Sequence, residues 1–294
     1  MNLHEYLSDL QSEVNASLSA LLPAEDEDPP LIHRAMRYSV FAGGKRVRPI
    51  LVLASGESLG GERSTLLHLG AAIEMMHTYS LIHDDLPALD NDDLRRGRPT
   101  CHKVFGEAIA ILAGDALLTR CFQVLVELPG VTESARLAIT REIACATGTI
   151  EGMIGGQVVD LESEGKPVTP EVLEYIHRSK TGALLTACTR CGALAARASR
   201  SQLESLTGFG RKIGLAFQVI DDILDVTATS EKLGKTAGKD QKVKKATYPA
   251  LYGIAASRQK AQELIQGALE EIRDLGDRAE LLRELARYVY SRTT

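Results

Sequence analysis

The chain has 294 residues, enough to bury one large hydrophobic core or two smaller ones. Alanine and leucine are abundant, tryptophan is absent and phenylalanine is scarce, and this composition favours helices over sheets. The formal net charge of −5 gives no basic excess of the kind that nucleic-acid-binding proteins carry, so no nucleic-acid partner is expected.

Apolar residues recur at the helical period along most of the chain, and no segment alternates convincingly as a strand does. Residues 86–100 are expected to be irregular because they contain two prolines and a glycine. We therefore predict an all-α fold, a bundle of about ten helices that forms a single domain over residues 1–294. The predicted helices span residues 3–21, 31–42, 48–59, 64–84, 101–128, 132–159, 171–200 (one or two helices) and 202–226, with two more after residue 247.

The cysteines give no sign of a disulfide framework or a zinc site. They stand at positions 101, 121, 145, 188 and 191, an odd number in a chain that is not small. Cys188 and Cys191 form a CxxC pair, but no second pair or nearby histidine completes the roughly four ligands that structural zinc needs. We expect two buried thiols on a helix and a cytoplasmic location.

We expect neither a secretory signal nor a membrane span. The first residues, MNLHEYLSDL, lack a basic region followed by an apolar run. No apolar stretch reaches the ~20 residues that cross a bilayer, and the best candidate, residues 108–118, is interrupted by Asp115.

A first group of aspartates follows the apolar helix predicted over residues 64–84. It contains Asp84, Asp85 and Asp90. Adjacent carboxylates at a helix C-terminus repel each other and face the negative end of the helix dipole. They could simply lie in solvent, but a bound divalent cation would offset both effects.

A second group, Asp221, Asp222 and Asp225, ends another apolar helix. Asp221 and Asp225 are four residues apart and therefore share one helix face, and Gln218 precedes Asp222 by the same spacing. Ligand sets made only of oxygen suit a hard ion such as magnesium, which also bridges to substrate phosphates. Two such groups at the ends of apolar helices predict a magnesium site more strongly than either alone.

Basic residues form two further groups. Lys45, Arg46 and Arg48 follow a pair of glycines at a predicted helix start, and helix N-termini and arginine side chains both bind phosphate. Arg95 and Arg96 follow the first aspartates. His77 lies roughly 10 Å before Asp84 along the helix. Each could be an ordinary surface cation or core histidine, but together with the aspartates they indicate a site for two phosphorylated substrates.

Several blocks of the chain resemble the short-chain trans-prenyltransferases of the polyprenyl synthase family. They are GGKRVRP, HTYSLIHDDLPALDNDDLRRGRPTCHKVFGEAIAILAGDALL, EGMIGGQVVDLE, HRSKTGALL, FQVIDDILD and GKDQKVKKATYPAL, in the order of the family. The resemblance covers nearly the whole chain and is strongest to bacterial members that make farnesyl diphosphate. It implies an isoprenoid-synthase bundle around a deep central cavity, a homodimer and magnesium-dependent condensation of isopentenyl diphosphate with dimethylallyl or geranyl diphosphate.

The resemblance also implies roles for individual residues, with three magnesium ions in each site as in the family. Residues 227–247 would form a flap over the site, and Lys180, Thr181 and Gln218 would lie beside the reacting carbons. The implied ligands are Asp84, Asp85, Asp90, Asp221, Asp222 and Asp225 for magnesium, Lys45, Arg48, His77 and Arg96 for isopentenyl diphosphate, and Arg95, Lys180, Thr181, Gln218, Lys235 and Lys239 for the allylic diphosphate.

The length of the product depends on what closes the cavity floor. Tyr79 lies five residues before Asp84, or roughly 7 Å along the helix, with Ser80 beside it. In relatives a bulky aromatic at this position stops growth at farnesyl length. Helical geometry alone leaves open whether Tyr79 faces the cavity or is a core aromatic, because it is about 140° around the helix from Asp84.

Three alternatives follow from the same motifs. A geranylgeranyl diphosphate synthase would differ only in product. A terpene cyclase would need no isopentenyl diphosphate site, so the GGKRVRP and RRG blocks count against it. A catalytically silent helical scaffold should have lost aspartates from one group, and both groups are complete.

Overall fold

The computed structural model describes residues 3–227 and 247–291, and nearly all regular structure in these ranges is helical, which confirms the all-α fold class. Residues 228–246, with Lys235, Lys239 and most of the predicted flap, lie outside the described residues. The α-helices are accompanied by a π-helical segment, His177–Gly182, and by two 3-10 turns, Arg273–Leu275 and Asp277–Ala279. The helices are α1 Leu3–Leu21, α2 Pro30–Val40, α3 Val47–Ser58, α4 Arg63–Asp84, α5 Cys101–Phe105, α6 Glu107–Val126, α7 Glu133–Thr147, α8 Met153–Ser163, α9 Pro170–Ile176, α10 Ala183–Ala195, α11 Arg200–Thr227, α12 Tyr248–Glu271 and α13 Glu280–Ser291.

Two of the predicted helices are each divided in two. Residues 101–128 form α5 and α6, because Gly106 between them has a φ of 83°, which a helix does not contain. Residues 132–159 form α7 and α8, separated by a turn between Gly148 and Gly152. The prediction of one helix is wrong in both places, since apolar periodicity continues across a short break and does not reveal it.

The segment between α4 and α5 contains a two-stranded ribbon. Strand β1, Leu94–Arg95, pairs antiparallel with β2, Arg98–Pro99. Arg96 and Gly97 form the turn with φ values of 53° and 75°, the left-handed conformation that two-residue hairpins require. Prolines and glycine predicted an irregular segment here, and the ribbon is the regular structure that the prediction missed.

The helices that carry the aspartates lie in the middle of the bundle. Helix α4 packs against α3 and α6, and α11 packs against α10 and α12. A Cβ at Gly214 of α11 would lie 2.9 Å from the Cα of Gly182, so the glycine pair lets α11 approach the π-helical segment closely. Buried apolar side chains from Leu10 to Val289 form one connected core. This core supports the single domain over residues 1–294, which stays a prediction.

One helix of the described residues, α6, is long and apolar enough to cross a membrane, with a mean hydropathy of 1.7 over its most apolar window. Core helices share this length and composition, and α6 packs against α4. Its outward face carries the exposed side chains Ile111, Leu112 and Val126. The criterion is therefore weak evidence for a span.

All five cysteines are free thiols, and Cys188 and Cys191 are fully buried on α10, as expected for core residues. Burial raises the pKa of Cys188 to about 12, so this thiol stays protonated at neutral pH. The cytoplasmic location stays a prediction.

Candidate active site

A cavity of about 2060 Å³ lies between α4, α8, the π-helical segment and α11. It brings together residues that are far apart in sequence, including both aspartate groups and both basic groups. Asp85 is engaged elsewhere, as described below. The predicted site residues that line it are Lys45, Arg48, His77, Tyr79, Ser80, Asp84, Asp90, Arg95, Arg96, Lys180, Thr181, Gln218, Asp221, Asp222 and Asp225.

The first aspartate group surrounds the C-terminus of α4. The backbone N–H of Asp90 donates to the carbonyl of Asp84 at 2.8 Å, which folds the chain back so that both carboxylates line the cavity. Burial, aided by the negative charges of Asp90 and Asp85 and opposed by Lys180 and Arg95, raises the pKa of Asp84 to about 6. A cation bound here would relieve this repulsion.

Asp85 is held by Arg95. The guanidinium donates from Nε to both carboxylate oxygens at 2.8 and 2.9 Å, and from Nη2 to Oδ1 at 2.6 Å. Asp85 is only 3% exposed, and burial raises its pKa while Arg95 lowers it. The hairpin β1–β2 thus supplies the charge that permits a carboxylate to be buried at this helix end.

The second aspartate group lies in the last turns of α11, and its middle member is held from two sides. His177 Nε2 donates to Asp222 Oδ2 at 2.9 Å, and the backbone N–H of Tyr248 donates to the same oxygen at 2.9 Å. His177 Nδ1 lies 2.9 Å from the carbonyl of Leu173, so both ring nitrogens have partners. Sequence reasoning missed His177, although it opens the HRSKTGALL block.

The two groups supply only oxygen donors from opposite walls of one cavity, which is the donor chemistry that magnesium prefers. Within the described ranges, no three side chains of His, Cys, Asp or Glu converge closely enough to enclose an ion by themselves. Magnesium ordinarily keeps several waters and binds through one or two carboxylates together with substrate phosphates. The residues present therefore fit magnesium that is held jointly with a phosphorylated substrate.

The π-helical segment carries Lys180 and Thr181 into the cavity. Lys180 Nζ donates to Asp160 Oδ2 on α8 at 2.7 Å, an acidic partner that sequence reasoning missed. A Cβ at Gly156 of α8 would lie 2.3 Å from the backbone nitrogen of Lys180, so only glycine lets α8 approach this closely. π-helical turns are frequently found at functional sites, and this one contains two predicted substrate contacts.

The basic end of the cavity contains Arg48, His77 and Arg96. Desolvation by its surroundings lowers the pKa of Arg48, and among the described residues its Nε has no hydrogen-bond partner. Arg96 Nη1 donates to the carbonyl of Gly43. Gly44, beside this guanidinium, has a φ of 118°, a backbone conformation that residues with a side chain rarely adopt. Burial lowers the pKa of His77 well below its ordinary value, and Arg48 and Arg96 lower it further, so this imidazole is neutral at neutral pH.

Tyr79 faces the cavity, which helical geometry alone could not decide. Its ring meets the ring of His83 edge-on, with centroids 5.8 Å apart, and burial raises the pKa of Tyr79 to about 12. Ser80 also lines the cavity, and its hydroxyl donates to the carbonyl of His77 at 2.9 Å. A bulky aromatic therefore lies on the cavity side of α4, more than a turn below Asp84.

Comparisons with known proteins identify the family of this chain. The sequence model of the polyprenyl synthetase family matches residues 29–285. The farnesyl diphosphate synthase of Geobacillus stearothermophilus is 47% identical over 93% of this chain and 92% of its own length. Geranylgeranyl pyrophosphate synthase 7, a chloroplastic protein of Arabidopsis thaliana, is 48% identical over 99% of this chain and 85% of its own length. The crystal structure of an FPP/GFPP synthase from Zymomonas mobilis superposes with a TM-score of 0.89 at 36% identity, covering 98% of this chain and 99% of that one.

The helical bundle and the cavity with two acidic groups define a prenyltransferase with the isoprenoid-synthase fold. The chain belongs to the polyprenyl synthetase family. The resemblance drawn from the motifs is thereby confirmed.

Proposed function

We propose that the protein condenses isopentenyl diphosphate head-to-tail with dimethylallyl and then geranyl diphosphate to give farnesyl diphosphate. The observation that carries this proposal is the placement of both aspartate groups and the basic residues around one cavity of about 2060 Å³. Such a cavity can hold two diphosphates and a growing apolar chain. Incubation of the purified protein with magnesium, labelled isopentenyl diphosphate and each allylic starter tests it, read by product length. Absence of condensation with every starter would contradict it.

The proposed metal is magnesium, on which the family generally depends, with three ions in each site. When bound, it neutralises the diphosphate leaving group so that the allylic C–O bond can ionise. Asp84 and Asp90 would hold it from α4, and Asp221 and Asp225 from α11. Asp85 and Asp222 would take part through carboxylates already positioned by Arg95 and His177.

Different residues of the chain would bind the two substrates. Lys45, Arg48 and Arg96 would bind the diphosphate of isopentenyl diphosphate, with neutral His77 as a hydrogen-bond partner. Lys180 would exchange its contact with Asp160 for the allylic diphosphate, joined by Arg95 and by Lys235 and Lys239 from outside the described residues. Anion binding by several preorganised cations is the main electrostatic contribution that such a site can make.

Carbon–carbon bond formation would take place in the apolar part of the cavity. Its walls exclude water from the allylic cation, and Thr181 and Gln218 offer only weak polar contacts, which do not trap it. The alkene of isopentenyl diphosphate attacks the cation, a carbon–carbon bond forms, and a proton is lost. The departing diphosphate is the proposed proton acceptor.

Two observations support farnesyl diphosphate as the final product. Tyr79 faces the cavity below Asp84 with a side chain large enough to limit chain growth. Several relatives at 46–47% identity are farnesyl diphosphate synthases. The alternative product is geranylgeranyl diphosphate, because relatives of similar identity carry that name. The length of the labelled product decides between them.

We also propose a homodimer, formed through the outward face of α6. Exposed Ile111, Leu112 and Val126 lie on this face at helical spacing, and an unburied apolar stripe of this length is typical of a subunit interface. We expect Leu112→Asp to give a monomer by light scattering after gel filtration, while Leu31→Asp, an equally exposed leucine on α2, leaves the dimer intact. A monomeric parent protein would contradict the proposal.

A further inference from the structure

Arg46 lies in sequence between two proposed substrate ligands, Lys45 and Arg48, and has an unusual backbone conformation. Its φ and ψ of 51° and 35° are left-handed, and it precedes the first residue of α3. A non-glycine residue in this region costs roughly 1 kcal/mol and is retained where its surroundings impose it. The side chain is almost wholly buried, at 2% exposure. The folded chain therefore tolerates a strained backbone at this position in order to bury the side chain of Arg46.

Three contacts hold the guanidinium of Arg46. Nη1 donates to Glu74 Oε1 at 2.9 Å, Nη2 to the carbonyl of Val40 at 2.7 Å, and Nε to Asn15 Oδ1 at 3.0 Å. Glu74 is equally buried and lies on α4, three residues before His77. Asn15 lies on α1, which precedes the family match at residue 29. Arg46 thus ties three helices together at the basic end of the cavity.

These contacts distinguish Arg46 from its neighbours in the GGKRVRP block. Lys45 Nζ lies over the ring of Tyr288 at 5.7 Å from its centroid, and Arg48 Nε has no hydrogen-bond partner in the part of the chain that the structure describes. Both line the cavity and have capacity for an anion. Arg46 lies between Lys45 and Arg48 in sequence. Because its side chain is held in place, the backbone beside it is held as well, and so are the directions in which the two neighbouring cations point.

Glu74 contributes charge as well as position. It is the carboxylate that pairs with Arg46, and its negative charge also favours the charged forms of Arg48 and Arg96. A group of neighbouring arginines without a nearby carboxylate would repel one another. Glu74 lets them stay close together while leaving an excess of positive charge for a diphosphate.

We propose that Asn15 and Glu74 are positioning residues which, through Arg46, set the geometry of the isopentenyl diphosphate end of the site. The inference rests on the proposed function for the identity of the substrate. It assigns α1 a role in substrate binding without direct contact between Asn15 and the substrate. The allylic end, on the far side of the hairpin, depends on other residues and should be indifferent to Asn15.

The main test is Asn15→Leu, which removes one acceptor of Arg46 and keeps the helix. We expect the KM for isopentenyl diphosphate to rise about threefold to tenfold, the loss that one hydrogen bond predicts. The KM for geranyl diphosphate should stay within twofold. Ser12→Leu is the matched control, an exposed residue of the same helix, and should change neither constant. An equal rise in both KM values, or a lower melting temperature with unchanged KM values, would overturn the proposal.

Arg46→Lys separates geometry from charge. Lysine keeps the positive charge but cannot reach three acceptors in fixed directions, so we expect a larger rise in the KM for isopentenyl diphosphate than for Asn15→Leu. A normal KM would show that charge alone suffices and would refute the positioning role. If Arg46→Lys does not fold, Asn15→Leu still decides.

Binding of inorganic pyrophosphate, measured by calorimetry in EDTA, keeps this inference separate from the proposed function. Asn15→Leu should weaken that binding by a similar factor, and Ser12→Leu should leave it unchanged. If the parent protein fails to condense the substrates, the proposed function fails while the pyrophosphate comparison still tests Asn15. If Asn15→Leu and Ser12→Leu bind pyrophosphate with equal affinity, the inference is refuted even if the parent enzyme is active.

Discussion

The first aspartate group begins at the last residue of α4 and continues into the segment that follows, whereas the second lies entirely within the last turns of α11. At the end of α4 the buried member, Asp85, is neutralised by the permanent charge of Arg95 from a hairpin. In α11 the corresponding member, Asp222, is held by the imidazole of His177 and the backbone N–H of Tyr248. The buried aspartate of the first group is therefore held by a permanently charged side chain, whereas that of the second group is held by residues of neighbouring helical segments.

This difference shows that two similar motifs need not be held in similar ways. Arg95 comes from the chain directly after its aspartates, so the first group is positioned locally. His177 and Tyr248 come from elements well before and after α11 in sequence, so the second group depends on the packing of the whole bundle. Four experiments can break or sharpen the comparison.

The largest effect is expected from Asp84→Asn, which removes a cavity-facing carboxylate of the first group. Loss of one metal ligand should lower kcat/KM on the order of 1000-fold, since metal stabilisation of a leaving group amounts to several kcal/mol. The labelled condensation assay measures this. Asp93→Asn, farther along the same segment and salt-bridged to Lys103, is the control and should stay near parent activity. Residual activity above a tenth of the parent value would contradict the assignment.

The next effect concerns the support of the second group. His177→Leu leaves Asp222 with only its backbone donor, and loss of a partner that orients a metal ligand typically weakens metal affinity about 10–100-fold. A magnesium titration of the melting temperature in the presence of pyrophosphate measures the shift. Tyr248→Phe keeps the backbone N–H and the ring, so it should behave like the parent protein. An unchanged magnesium dependence in His177→Leu would show that the backbone donor suffices.

Both helices have an aromatic residue that lines the cavity before their aspartates, Tyr79 on α4 and Phe217 on α11, and we propose that Tyr79 limits chain growth. Tyr79→Ala should raise the ratio of geranylgeranyl to farnesyl product by roughly tenfold, the effect of one pocket contact. Chromatography of the labelled products measures it, with Tyr79→Met expected to shift the ratio in the same direction. Tyr79→Phe keeps the ring and should keep the parent product. An unchanged profile in Tyr79→Ala would refute Tyr79 as the limit to chain growth.

The smallest effect is a pH dependence in the first group. Burial raises the pKa of Asp84 from 3.8 to about 6. In the metal-free protein its contribution to stability is therefore present below pH 3.8 and is lost as the pH rises through 6. Magnesium needs the ionised carboxylate, so its apparent affinity should fall roughly fourfold between pH 7.5 and pH 5.5. Melting temperatures at several magnesium concentrations check this, and equal affinity at both pH values would contradict it.

Much of this architecture could be predicted from sequence because its signals are local. The helical period fixed α1, α4 and α11 closely, and the aspartates at the ends of the last two indicated the metal. The breaks at Gly106 and after Thr147 were missed, because a glycine turn inside a continuous apolar pattern changes few of the residues that make the pattern.

Apart from the local contact of Arg95 with Asp85, the supports of the site could not be predicted, because each joins residues that only the packed bundle brings together. Arg46 reaches Glu74 and Asn15 across three helices, and Lys180 reaches Asp160 across two. Nothing in the sequence distinguishes Arg46, Glu74 and Asp160 from the many other arginines, glutamates and aspartates of the chain. Arg46 and Glu74 are distinguished by their burial rather than by their residue type.

The hairpin of two short strands has a wider consequence. Arg95 points to the buried aspartate of one wall, while the next residue, Arg96, reaches the glycine loop at the opposite end. A single peptide bond thus links the contact with Asp85 to the contact with the Gly43 carbonyl. Inserting or deleting one residue at this turn would break at least one of these contacts, so the length of this connection is constrained more tightly than that of an ordinary surface loop.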